Sequence, residues 1–222
     1  MLKKVTLSFL ALCSVAFAAD AATILANQKK ALFPDTAEVR MRTTIAIQGM
    51  PAQVVESRLV TKGKEKTVTE IKSPLINMKI VRNGERFSVT DLKTGAAMPS
   101  QMADQAKAGM SSLEQDMGKP EDYLAPVKEG GLWRLSPKDP AGATLFYSDE
   151  QKRVVKMLQT VQPGVQSETI IKYCDSKCAL PGTPVSIGID TQMNGQSAAK
   201  VMLEIISAQK LASVPDAVFK VQ

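Results

Sequence analysis

Alternating polar and apolar residues mark the first long regular segment of this chain. From Val39 to Ile47 the odd positions hold apolar residues or threonine, whereas Arg40 and Arg42 occupy even positions. A period of two residues predicts a β-strand whose odd and even side chains point to opposite faces of a sheet. The period does not say which face is concave, so the pattern leaves that choice open.

Tight turns divide most of the remaining chain into further short strands. The turns share a glycine beside proline or asparagine, as at Asn83-Gly84, Pro163-Gly164 and Asn194-Gly195. The predicted strands cover residues 39–47, 53–61, 66–72, 75–81, 86–90, 132–136, 144–148, 152–161, 166–174, 185–193, 197–208 and 217–221. Strands in serial hairpins favour one large antiparallel sheet of roughly ten to twelve strands, strongly curved or partly closed.

A helical period precedes the strands. Apolar residues over 24–32 recur on one helix face, Asp20 stands where an N-cap is expected, and Pro34 prevents continuation. We therefore predict a short helix that opens the domain. Residues 119–131 are expected to form a loop before the second group of strands.

A second helical period lies between the two groups of strands. The stripe recurs every three or four residues and consists of Met102, Ala106, Met110, Leu113 and Met117. Ser100 can cap this helix, Gly118 can end it, and Gly109 weakens or splits it. Methionine is flexible and suits a surface that repacks around variable apolar ligands. The helix is thus either a plain cover for a β core or a movable lid over a lipid-sized cavity.

The first eighteen residues have the layout of a secretory signal peptide. A basic start precedes an apolar run over residues 5–17, and small residues flank the end of the run. The run is too short to span a bilayer. We expect cleavage after Ala18, a periplasmic location, and a single mature domain over residues 19–222. Lipid attachment at Cys13 is the alternative, although Leu12 occupies a position where lipoprotein signals have a small residue.

Composition excludes several classes of function. The chain contains no histidine, which removes Ser-His-Asp and Cys-His sites and the metal centres that need imidazole. The formal net charge of +6 is small and dispersed, and aromatic residues make up only 5% of the chain, so nucleic-acid binding is not expected. We expect no cofactor and no metal.

Cys174 and Cys178 remain after processing, with three residues between them. In an oxidising compartment such a pair predicts a disulfide that closes a hairpin loop. A redox-active pair is the alternative, but it would have C-x-x-C spacing at the start of a helix.

Two short segments match motifs of serine β-lactamases, namely Ser197–Lys200 for S-x-x-K and Lys93–Gly95 for K-T-G. That chemistry needs the serine at the start of a helix, whereas Asn194-Gly195 places Ser197 at the head of a strand. The two motifs also occur in the reverse order. We therefore predict no catalytic residues and no enzyme activity.

The order of the predicted elements resembles the LolA-like superfamily of outer-membrane lipoprotein carrier and sorting proteins. The resemblance rests on an N-terminal helix before a long strand pair, an interposed helical lid, and three segments: Ile80–Phe87, Leu132–Pro137 and Val214–Phe219. It implies a mainly β fold with a helical lid (α+β), in which a highly curved antiparallel sheet forms an incomplete β-barrel covered by helices. An apolar concave face would receive acyl chains.

Two features depart from that superfamily. Lipoprotein carriers use an arginine on an early strand to hold the lid closed. Arg40, Arg42 and Arg58 lie on early predicted strands, but none matches that motif, so the role is not assigned. The pair of Cys174 and Cys178 is not a general feature of the superfamily either.

The sequence thus predicts a non-enzymatic periplasmic carrier that binds the acyl chains of a lipoprotein or lipid in an apolar cavity. The expected cavity and lid residues are Met41, Ile45, Ile47, Met102, Met110, Leu113 and Met117. The alternative is a protein-interaction or sensor module of the same fold with a packed cavity and an envelope protein as partner. We expect a monomer in either case.

Overall fold

The computed structural model describes most of the chain. The described residues are 21–28, 30–31, 35–63, 65–105, 118–139, 144–175, 178 and 180–221. The predicted signal peptide, Cys13 and the proposed N-cap Asp20 lie outside them, and so does most of the predicted lid stripe.

Twelve strands form one antiparallel sheet, as the hairpin pattern predicts. The strands are β1 (Ala37–Ile47), β2 (Gln53–Lys62), β3 (Lys66–Lys72), β4 (Asn77–Asn83), β5 (Arg86–Asp91), β6 (Val127–Glu129), β7 (Leu132–Leu135), β8 (Thr144–Ser148), β9 (Val154–Gln162), β10 (Val165–Tyr173), β11 (Pro184–Met193) and β12 (Gln196–Lys210). β5 and β6 are the two edges, so the sheet is open.

The first and last strands meet in the middle of the sheet. The strand order is β5-β4-β3-β2-β1-β12-β11-β10-β9-β8-β7-β6, so two runs of serial hairpins are joined by the pairing of β1 with β12. Ile45 pairs with Val201 in this register. This one long-range pairing makes a single sheet from the two runs.

Helices are few among the described residues. Helix α1 covers residues 21–31, with residue 29 outside the description, and helix α2 covers residues 100–105. α2 begins at Ser100, and the amide of Ala103 donates to the carbonyl oxygen of Pro99 at 3.1 Å, so Pro99 rather than Ser100 occupies the N-cap position. The rest of the predicted lid helix, residues 106–117, lies outside the described chain. No helix within the described ranges is both long and apolar enough to cross a membrane.

Two sequence-based predictions of local structure are wrong. Residues 217–221 were expected to form a strand, but Asp216–Phe219 is a 3-10 helix that follows Pro215. Proline fixes φ and cannot donate to a strand ladder, and the amide of Val218 instead donates to the carbonyl oxygen of Pro215 at 3.1 Å. Residues 119–131, expected to be a loop, contain the 3-10 helix Pro120–Asp122 and the edge strand β6.

Two clusters of buried apolar residues attach α1 and the chain end to the sheet. The α1 cluster consists of Ala21, Ile24, Leu25, Tyr123, Leu135, Phe146, Val154 and Ile171. The C-terminal cluster consists of Val60, Val68, Val81, Val214 and Phe219. The first joins α1 to β7–β10, and the second joins the chain end to β2–β4.

Candidate ligand-binding face

The odd-numbered residues of β1 lie on the face of the sheet that α1 covers, which we call the inner face. Val39 and Met41 line a cavity together with Ala31 of α1. The register places Thr43 beside Leu203, and Leu203 beside Ile187 of β11. Because successive strand residues alternate between faces, these side chains share one side of the sheet. The structure thereby shows which side chains of β1 lie on the side that α1 covers.

The cavity on the inner face is small and almost wholly apolar. Its volume is about 110 Å³. Its lining residues are Ala31, Val39, Met41, Leu59, Thr183, Pro184, Ile187, Leu203, Ile205 and Ala208. No charged residue is among them, so the surface suits hydrocarbon rather than a polar substrate.

The opposite face, the outer face, carries charge on the same strands. Arg58 Nη2 donates to Glu38 Oε2 at 2.8 Å, and Arg40 Nε donates to Glu38 Oε1 at 3.0 Å. Arg42 Nη2 lies 3.3 Å from Glu56 Oε1. The hydrogen bond from Arg58 outweighs desolvation and lowers the pKa of the Glu38 carboxyl.

The three arginines of the early strands lie on the face away from the cavity. Arg40, Arg42 and Arg58 all lie on the outer face, where they form ion pairs, and the cavity lies on the other side of the sheet. None of the three therefore reaches the inner-face cavity.

The three predicted strand residues share the inner face but differ in their surroundings. Met41 lines the cavity. Ile45 follows two pairs further along, half-buried beside Val201. Ile47 ends the strand and is 43% exposed. The structure thus places Met41 at the cavity and Ile45 and Ile47 on an apolar path that leads from it.

The predicted lid residues are less well located. Met102 lies in α2 and is half-buried, and it is not among the described residues that line the cavity with Met41. Met110, Leu113 and Met117 lie outside the described residues, so their part in the site stays a prediction.

Sequence reasoning predicted only Met41 among the ten lining residues, and half of the lining comes from the distant strands β11 and β12. Leu203 and Ile205 of β12 and Ile187 of β11 face Met41 only because β1 pairs with β12. Their own strands also show alternation, which was the available signal. The alternation could not indicate that these strands would flank β1.

A tyrosine anchors α1 to the inner face beside the cavity. The Tyr173 hydroxyl lies 2.9 Å from the carbonyl oxygen of Val154 and 3.1 Å from Oε1 of Gln28, a residue of α1 that is 2% exposed. Burial raises the pKa of Tyr173 to about 12. The neutral phenol is therefore a structural link between the helix and the sheet.

The predicted disulfide is confirmed and lies in the loop that leads to the cavity. Cys174 and Cys178 are bonded, with their Cα atoms 6.2 Å apart. The amide of Cys174 donates to the carbonyl oxygen of Thr183 at 3.1 Å, and Thr183 and Pro184 line the cavity. The crosslinked loop thus borders the cavity where β11 begins.

The described residues of the two β-lactamase-like segments form hydrogen bonds with nearby aspartates. Ser197 lies in β12, as expected, and its hydroxyl donates to Asp190 Oδ1 at 2.7 Å. Lys93 and Thr94 donate their amides to Asp91 Oδ1 in a turn. No cluster of potential metal ligands occurs within the part of the chain that the structure describes.

Comparison with known proteins finds similarity in structure rather than in sequence. No protein-family model and no curated protein matches the sequence. A LolA superfamily protein from Nitrosomonas europaea matches with a TM-score of 0.59 and 16% identity, over 90% of this chain and 97% of its own.

Two further solved structures match over similar lengths. A putative outer membrane lipoprotein-sorting protein domain from Vibrio parahaemolyticus has a TM-score of 0.55 and 11% identity, over 88% of this chain and 94% of its own. A DUF1329 family protein from Desulfovibrio piger has a TM-score of 0.56 and 8% identity, over 91% and 98%. The resemblance that the order of elements indicates is thus found in structure, and the chain has the LolA-like fold.

Proposed function

We propose that this protein is a non-enzymatic periplasmic carrier that binds the acyl chains of a lipoprotein or lipid on its inner face. The observation that carries the proposal is the uncharged cavity between α1 and the central strands. The LolA-like fold supports it, because matching structures include a lipoprotein-sorting domain. The predicted signal peptide supports the location.

Binding requires the cavity to enlarge. Its volume of about 110 Å³ is well below the roughly 300–1,000 Å³ of typical ligand pockets. Burial of a chain of fourteen carbons would gain on the order of 10 kcal/mol before ordering costs, at roughly 0.8 kcal/mol per methylene. We propose that α1 moves away from the strands, and that the predicted lid residues Met102, Met110, Leu113 and Met117 then contact the chain.

The number of strands close to α1 supports a sheet that curves around the ligand. The α1 cluster and the cavity together include residues of the eight strands from β7 through β12 and β1 to β2. Eight strands would span about 34 Å if they were flat, whereas a helix of eleven residues is only about 17 Å long. A sheet that wraps around the helix reconciles the two lengths.

Neighbouring residues of β12 provide a matched test. Leu203 lines the cavity, whereas Met202 lies on the outer face and is 47% exposed. We expect Leu203→Asp to abolish retention of a fluorescent fatty acid, because it puts a charge against the hydrocarbon. Met202→Asp should bind as wild type does. Circular dichroism should show the same β signal for both variants, and equal binding by both would contradict the proposal.

The small cavity favours one alternative, a protein-interaction or sensor module that is packed shut. Native mass spectrometry of protein purified from the periplasm of an expressing bacterium separates the two functions. Adducts of acyl-lipid mass that are lost on unfolding support the carrier. Bare protein that takes up no fatty acid, but captures one envelope protein in stoichiometric amount, supports the interaction module.

A further inference from the structure

Four hairpin turns lie at the same end of the sheet, which we call the tip end. They connect β1 to β2, β3 to β4, β9 to β10, and β11 to β12, and antiparallel pairing across the strand order brings them to one edge. The turns with their flanking residues cover 47–53, 73–77, 161–167 and 193–199. None of these segments contains a charged residue.

Each of the four segments exposes a large apolar side chain. The exposed fractions are 61% for Met50, 79% for Leu75, 58% for Val161 and 55% for Met193. The chain is 23% charged overall, so four exposed turns without one charge are unlike the rest of its surface. Exposed apolar groups gathered in one region mark an interaction site.

The opposite end of the sheet shows that this is not a general property of the turns. The turn between β2 and β3 contains Glu65, the turn between β4 and β5 contains Glu85, and the turn between β8 and β9 contains Asp149 and Glu150. Lys128 Nζ lies 2.7 Å from Glu150 Oε1 there. The tip end also holds charged residues at its two flanks, Asp91 and Lys93 where β5 ends and Lys138 and Asp139 after β7. The four turns thus form an uncharged apolar stretch in the middle of this end.

We propose that the tip end docks on the surface of a lipid bilayer, with Met50, Leu75, Val161 and Met193 inserted among the lipids. Neighbouring tips are two strands apart, about 10 Å, so the four side chains form a row of about 30 Å. Such a spaced row fits a planar apolar layer better than the single buried centre of a protein interface.

The inner face connects the tips with the cavity. From Met41, the pairs of Thr43 with Leu203 and of Ile45 with Val201 lead to Ile47, which is 43% exposed beside the turn that holds Met50. Docking at this end would place the apolar path against the bilayer. The docking surface lies outside the cavity, so the inference goes beyond the carrier function and does not depend on it.

Because the tips carry no charge, docking should need no anionic lipid. The secreted protein, purified after export, should float with vesicles of phosphatidylcholine alone, and 0.5 M salt should not release it. The double variant Met50→Asp with Leu75→Asp should lower the partition coefficient roughly tenfold or more, since two inserted side chains become charged. Its uptake of fluorescent fatty acid should be unchanged, which separates docking from cargo binding.

Met202→Asp with Ile206→Asp is the matched control, because it adds the same two charges at exposed apolar positions of the outer face. This variant should float as wild type does. Equal losses in the two double variants would overturn the proposal. So would wild-type protein that stays unbound at every phosphatidylcholine concentration, or tips that instead join two copies in sedimentation.

Discussion

The two buried clusters cover opposite faces of the sheet in different halves of the molecule. α1 packs on the inner face of β7–β10, where Ile24 is fully buried. The chain end packs on the outer face of β2–β4, where Phe219 is fully buried. The register places Val60 opposite Glu38 rather than Val39, which fixes the second cluster on the face away from the cavity.

The two coverings differ in what surrounds them. The chain end is held by polar links as well: Lys62 Nζ donates to the carbonyl oxygen of Val214 at 2.9 Å, and Asn83 Nδ2 to that of Phe219 at 3.3 Å. α1 has a polar link too, through Tyr173 and Gln28, but its last described residue, Ala31, lines the apolar cavity. We infer that the C-terminal cluster only stabilises the fold, whereas the α1 cluster also shapes the proposed ligand-binding face.

A pair of truncations offers the largest test of this difference. Phe219→Ala should lower the free energy of unfolding by about 3–5 kcal/mol, and Ile24→Ala by about 2–5 kcal/mol, because each leaves a cavity in a packed cluster. Only Ile24→Ala should change the affinity for a fluorescent fatty acid. Denaturant unfolding gives the first quantity, and titration well below the unfolding midpoint gives the second.

The outcome that would break the comparison is a change in affinity caused by Phe219→Ala while that variant remains folded. Val68→Ala serves as a second probe of the C-terminal cluster, since Val68 is 2% exposed and lies on β3. It should likewise affect stability without affecting fatty-acid binding.

Local signals predict the strands of both halves well. β3 and β8 have the bounds that the sequence predicts. For β3, short-range alternation and a turn at each end specify a hairpin without distant contacts. β4 begins two residues later than predicted. There the Ser73 hydroxyl accepts the amides of Leu75 and Ile76 at 3.3 and 2.9 Å and extends the turn.

Features set by distant parts of the chain could not be predicted from such signals. The helical conformation of Asp216–Phe219 depends on burial of Phe219 against β2–β4, although its valine and phenylalanine favour a strand locally. The choice of face for Met41 depends on where α1 packs. The partners of Met41 in the cavity depend on the pairing of β1 with β12.

A smaller effect should come from Tyr173→Phe, which removes the hydroxyl between α1 and β9. Gln28 is 2% exposed, so loss of its partner should lower the free energy of unfolding by about 1–3 kcal/mol. The ring and its contact with Arg153, whose guanidinium lies 4.9 Å from the ring centroid, are retained. Denaturant unfolding at neutral pH measures the loss, and an unchanged midpoint would exclude this link as an anchor of α1.

The same residue has a pH signature. Its folded pKa of about 12 lies above the ordinary value of 10.0, so the contribution is complete below pH 10 and is lost as the pH rises towards 12. The melting temperature of wild type should fall more steeply over this interval than that of Tyr173→Phe. Parallel curves would show that the phenol does not contribute through its neutral form.

The smallest expected effect concerns the ion pairs of the chain end. Lys66 Nζ and Lys62 Nζ lie 2.8 and 2.9 Å from Asp216 Oδ1, and these lysines lower the pKa of Asp216 to about 2 from an ordinary 3.8. Since the folded pKa is lowered, the contribution is present above about pH 4 and is lost as the pH falls towards 2. Asp216→Asn should therefore reduce the melting temperature slightly at neutral pH, and the difference from wild type should vanish towards pH 2.

Because the side chain of Asp216 is exposed, 0.5 M salt should also shrink the difference in melting temperature, and fatty-acid affinity should not change at any pH. If the difference in melting temperature between Asp216→Asn and wild type instead persisted at pH 2 and in 0.5 M salt, Asp216 would act through the backbone of the 3-10 helix rather than through its charge.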